Sequence, residues 1–247
     1  RFNLDRESGP ELESILQAGF PRLGDQERRY ISKLSSGDVR AAVLIARHYR
    51  DGDIAPPGEL VEREELTRFL DGLVGVNPPD DMEQALCALS LFSALGVDGE
   101  LEEELRVTAE LLGRTVAELK TGIGKATASR SLVERRGRLR FVSPEILAIR
   151  LAARFWNERQ SELRDFFGRL PSPAAIQRFI ERLLILGEDA HPTAVVVDLL
   201  GSASVFRASH DLTAPDRADL SHYLQPYSRS PVTAAPIPFL CSVSLVR

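Results

Sequence analysis

The sequence predicts a mainly α-helical protein that carries one β-hairpin. Apolar residues recur at helical spacing along most of the chain, glycine, proline and Ser/Asp capping signals punctuate them, and apolar and polar residues alternate on both sides of Arg136-Gly137-Arg138. The helices should fall into a lid-like bundle, a helix-turn-helix unit closed by the hairpin, and solenoid-like helices.

In residues 1–54, Leu12, Ile15 and Leu16 form one face of a short helix that Gly19 ends, with Pro21 just beyond. A second helix follows from about Asp25 through Tyr30, Ile31 and Leu34. Asp38 is the expected N-cap of a third, which runs from Val39 to His48 and carries Ala41, Ala42, Leu44 and Ile45. Three short helices bury too little surface to stand alone, so the segment reads as a lid packed on something else. Residues 55–81 read as a linker with one helix over 59–73, bounded by Asp51-Gly52-Asp53, Pro56-Pro57-Gly58 and Asn77-Pro78-Pro79.

Residues 82–157 have the most determinate pattern. Ala85, Leu86, Leu89, Phe92 and Leu95 give one face of a helix that Gly96 is expected to cap, and Leu101, Leu105, Ala109 and Leu112 give a second that Gly113 ends. Thr115 caps a third through Val116, Leu119 and Ile123, and Gly137 supplies the positive φ of a tight hairpin. Ser143 then reads as an N-cap, with Pro144 at the first position of a helix reaching Phe167. Helix, helix, helix and hairpin in this order read as a winged helix. Residues 158–225 continue as helical-repeat-like segments, including one over 173–186, and residues 226–247 read as a proline-rich, disordered tail.

The formal charge of −5 does not mark the whole molecule as a nucleic-acid binder. No apolar run is long enough to span a bilayer and no signal pattern opens the chain, so a cytoplasmic protein without membrane contact is expected. The chain opens on Arg1-Phe2-Asn3 as though in mid-sequence, and a fragment is expected. Cys87 and Cys241 and the scattered histidines lack metal-ligand spacing, so neither a metal site nor a catalytic residue is expected. Thr121-Gly122-Ile123-Gly124-Lys125 lacks the spacing and the preceding strand of a phosphate loop and falls within the third helix.

Two sets of residues remain as candidates. Arg40, in the first turn of a capped helix, is placed to contact a phosphate. Lys120, Lys125, Arg135, Arg136, Arg138 and Arg140 concentrate positive charge on the third helix and wing, fit for phosphate-backbone or interdomain contact.

Ser36-Gly37-Asp38-Val39-Arg40 resembles the sensor-2 element of AAA+ ATPases of the Orc type and of the related STAND signalling ATPases. Ala88 to Glu100 and Leu132 to Ala148 are similar to the winged-helix part of large bacterial STAND-like proteins. The resemblance covers roughly residues 8–200. It implies the regulatory portion of a signalling ATPase, with Arg40 sensing ATP or ADP held by an upstream NTPase domain of the same polypeptide, and it is compatible with a homo-oligomer. The phosphate loop and acidic metal-binding strand of that family are absent from this chain, so by itself it is expected to bind no nucleotide and to be no enzyme. A winged-helix DNA-binding regulator and a non-enzymatic helical adaptor are the alternative readings.

Overall fold

Helix α9 (Glu145–Glu158) is the element on which most of the others converge, because its apolar residues point to both sides. Ile146, Leu147, Ala148, Ile149, Leu151, Ala152, Phe155 and Trp156 are all buried. The computed structural model describes residues 9–50 and 53–186, all within one compact unit. Among them are eleven α-helices, a small three-stranded antiparallel sheet and a two-stranded hairpin.

Helices α1 (Gly9–Gly19), α2 (Asp25–Ser35) and α3 (Val39–Ala46) pack on one another, and α2 reaches α9. Asp38 caps α3 by accepting the Ala41 N–H at 2.8 Å. The stretch read as a linker is structured. β1 (Tyr49–Arg50) pairs with β2 (Asp53–Ile54), and α4 (Pro57–Leu60) and α5 (Glu64–Val74) follow as two helices where one was expected. The break lies at Val61, whose carbonyl accepts the Thr67 hydroxyl at 2.8 Å and the Arg150 guanidinium at 3.1 Å and so is withdrawn from the helical ladder.

The next elements are α6 (Asp80–Ser90), β3 (Leu95–Gly96), a 3₁₀ turn (Gly99–Leu101), α7 (Glu102–Leu111), α8 (Val116–Arg130), β4 (Val133–Arg136) and β5 (Leu139–Val142). The sheet order is β3-β5-β4, with Leu95 opposite Arg140, Arg136 opposite Leu139 and Val133 opposite Val142. Gly113 and Gly137 adopt φ of 64° and 61°, the left-handed geometry that their helix end and hairpin turn require. Thr115 and Glu118 form a reciprocal capping box at the start of α8.

Gly96 does not cap α6, which ends at Ser90; it lies in β3, where a Cβ would come within 2.4 Å of the Leu101 Cβ and 2.9 Å of the Glu104 carboxylate. The glycine is needed for close approach of α7, and its N–H donates to Glu104 Oε2 at 2.8 Å. Ser143 is not the cap of α9 either. Its hydroxyl is buried without a partner, the helix begins at Glu145, and the Glu145 N–H donates to Ser36 Oγ at 3.0 Å. A residue of the α2–α3 turn therefore caps the central helix from across the core.

The helix expected to reach Phe167 breaks at Arg159, where α10 (Gln160–Gly168) begins. The break folds Phe166 and Phe167 back beside Trp156, Phe92 and Phe179; Phe166 and Phe179 stand edge to face with centroids 5.3 Å apart. Helix α11 (Pro173–Ile185), capped by Ser172, closes this cluster. Its Arg182 is fully buried, donating to Glu145 Oε1 at 2.8 Å and twice to the Phe92 carbonyl at 3.2 Å. Its Arg178 pairs with buried Glu104 at 2.6 Å. α10 and α11 thus share the core of α6 and α9. The remaining repeat-like residues, the proline-rich tail, Cys241 and three of the four histidines lie outside the described residues.

Candidate interaction surface

The candidate cations meet around one face of α8 and the β4–β5 hairpin. Gly122 sets the geometry beneath it: a Cβ there would lie 2.0 Å from the Asp81 carbonyl oxygen and 2.7 Å from the Ala85 Cβ, so α8 crosses α6 at a distance only glycine permits. In Thr121-Gly122-Ile123-Gly124-Lys125 the first glycine therefore serves helix packing. Gly124 does not, since a Cβ there would meet nothing within 4 Å.

Five of the basic residues are held by carboxylates. Arg114 pairs with Asp80 at 2.7 Å, Lys120 with Glu102 at 3.1 Å, Lys125 with Asp81 at 2.5 Å, Arg138 with Glu100 at 3.0 Å and Arg140 with Asp98 at 2.6 Å. The Lys125 ammonium hydrogen-bonded to Asp81 holds that carboxyl below its ordinary range. The positive charge concentrated in sequence over 114–140 is thus largely neutralised in space, by the start of α6 and by the segment 98–102. Each exposed pair contributes little to stability, within about 1 kcal/mol; the joint effect is on local potential.

Arg135 and Arg136 differ. Arg135 is exposed and donates to the Gly137 carbonyl at 3.0 Å, and Arg136 is exposed with its guanidinium 5.8 Å from the Phe141 ring centroid. Among the described residues neither has a carboxylate partner.

Between α8 and the sheet lies a cleft of about 430 Å³ with an apolar floor of Val97, Ile123 and Val133. Gly124, Thr127 and Ala128 form its α8 wall, and Lys120, Arg135, Arg140 and Asp98 its rim. The solvent face of α8 continues this small-residue character, because Ala117, Thr121, Gly124 and Ala128 are exposed. Lys125, Arg136 and Arg138 lie outside the cleft lining.

Arg40 is separate from this group. It sits in the first turn of α3 with its guanidinium 5.1 Å from the Phe69 ring centroid on α5, an exposed cation–π contact. Burial pushes the Cys87 thiol up to about 12, away from the thiolate form. Among the described residues no group of three or more His, Cys, Asp or Glu could hold a metal ion, and no helix is long and apolar enough to cross a membrane.

Sequence reasoning missed the acidic partners Asp80, Asp81, Asp98, Glu100 and Glu102 and the cleft. The acids were visible as two runs, but each lies 18–44 positions from its cation, beyond the reach of helical spacing rules. No protein-family model, curated protein or solved structure matches the chain significantly.

Proposed function

We propose that this chain is a non-enzymatic interaction module whose α6–β5 segment is a winged helix, and that its third helix and wing dock on protein, not on duplex DNA. The observation that carries this reading is the solvent face of α8. A helix entering the major groove reads bases through long polar side chains, whereas this one presents Ala117, Thr121, Gly124 and Ala128. Lys120 and Lys125, two long cations of this helix, are engaged by Glu102 and Asp81.

The reading is in keeping with the regulatory portion of a STAND/AAA+-like signalling ATPase, in which the lid, winged helix and later helices relay the nucleotide state of an upstream domain. In that setting Arg40 is the nucleotide-facing residue, and the Ser36–Glu145 hydrogen bond couples its turn to α9. The experiment is fluorescence anisotropy of the 247-residue chain with labelled duplex DNA of mixed sequence at about 150 mM salt. Only weak binding, vanishing as salt rises, is expected; nanomolar, sequence-selective binding would refute the reading and favour a DNA-binding regulator.

A further inference from the structure

β4 is the edge strand of its sheet, and one side of its backbone has no strand beside it among the described residues. Such an edge is a template for an added strand. Two of its side chains, Val133 and Arg135, line the cleft, and since side chains alternate along a strand, Glu134 and Arg136 occupy the opposite face. Edge, cleft lining and two guanidiniums without carboxylate partners among the described residues therefore lie within four consecutive positions.

We propose that the cleft between α8 and β4 receives an extended acidic peptide segment of a protein partner, added as a strand along β4. This rests on the reading of the surface as a protein-docking one and names the chemistry of the partner. A strand laid on β4 sets an apolar side chain beside Val133, on the face of the sheet that lines the cleft. Two positions along, on the same face, a carboxylate meets Arg135, and the next residue, on the other face, meets Arg136. The recognised pattern is an apolar residue followed, after one intervening residue, by two acidic ones, or its reverse for the opposite strand direction.

The charge argument is selective. Lys120 and Arg140 on the rim already have their acids, so an incoming anion is drawn to the hairpin end, where Arg135 and Arg136 stand. Gly124 and Ala128 keep the α8 wall low. A glycine in a helix interior is unfavourable by roughly 1 kcal/mol relative to alanine, and here no internal packing requires it.

The test is a titration of the ¹⁵N-labelled 247-residue chain with an acetylated, amidated peptide Glu-Glu-Thr-Leu-Thr-Glu-Glu, which offers the pattern in both directions, and with its Lys-for-Glu counterpart. The expected result is a micromolar to millimolar interaction that shifts amides of residues 121–128 and 132–136 and is lost with the lysine peptide. Arg135→Gln should weaken it about three- to tenfold, as for one exposed charge-assisted contact. Gly124→Leu, which places a side chain in the cleft at a helix position open to solvent, should abolish it, with both variants checked for wild-type melting behaviour. Absence of shifts at 2 mM peptide (roughly the weak limit of specific binding), equal binding of the lysine peptide, or full binding by Gly124→Leu would each overturn the inference. Failure here together with weak DNA binding leaves the docking reading standing, whereas nanomolar duplex binding overturns both.

Discussion

Replacing each glycine of Thr121-Gly122-Ile123-Gly124-Lys125 by alanine should move stability in opposite directions. At Gly122 the new Cβ would fall 2.0 Å from the Asp81 carbonyl oxygen and 2.6 Å from its carbon, both backbone, so α6 and α8 must separate. Overpacking of this kind costs about 1–3 kcal/mol, offset by about 1 kcal/mol of helix propensity. A clash with unyielding backbone falls in the upper part of that range, about 2–3 kcal/mol, so the net loss of ~1–2 kcal/mol corresponds to a melting temperature lowered by about 2–8 °C in a domain of this size. Gly124→Ala meets no atom, gains the propensity alone, and should raise it by about 1–4 °C. Trp156, the one tryptophan of the chain and fully buried, reports the transition by fluorescence, with circular dichroism in parallel. A Gly122→Ala protein as stable as wild type would refute the close α6–α8 crossing, and a destabilised Gly124→Ala would refute the openness of the cleft wall.

Arg182→Ala should lower the free energy of urea unfolding by about 3–5 kcal/mol, because it leaves the Phe92 carbonyl and Glu145 without their buried cation; a loss below about 1 kcal/mol would show that α11 is not clamped this way. In acid, the Thr115 backbone N–H and then its hydroxyl hold the Glu118 carboxyl below its ordinary value of 4.5. A carboxylate with a lowered folded pKa stabilises the fold above the ordinary value and loses that contribution as pH falls through the lowered one. The melting temperature should therefore decline below about pH 4.5, and Glu118→Gln should decline less steeply; parallel curves would contradict the capping-box assignment.

The local signals that act within a few residues were legible in the sequence. Asp38 and Thr115 cap the helices their spacing indicated, and Gly113 and Gly137 take the positive φ expected of them. What failed was decided by tertiary contact. Gly96 looked like a helix terminator because its role, admitting Leu101 and Glu104, depends on a neighbour that no periodicity reveals. Ser143 carries the right residue type for a cap, yet Ser36, 109 positions from the Glu145 whose N–H it accepts, supplies the oxygen. The break at Arg159 breaks no propensity rule; the aromatic cluster around Trp156 is what requires it. At the candidate surface the cations were found and their acids were not, so a patch that is basic in sequence is nearly balanced in space.

That balance is tested most directly by removing it. Asp98→Asn, Glu100→Gln and Glu102→Gln together free Arg140, Arg138 and Lys120 on the surface formed by α8 and the hairpin. Duplex DNA affinity measured by anisotropy from about 50 to 200 mM salt should be weak for the wild-type chain. In the triple variant it should be tighter, with the slope of log affinity against log salt steeper by up to about 0.9 per freed cation. A wild-type chain that already binds duplex tightly with a steep slope, unchanged in the variant, would contradict internal neutralisation and with it the assignment of this surface to a protein partner.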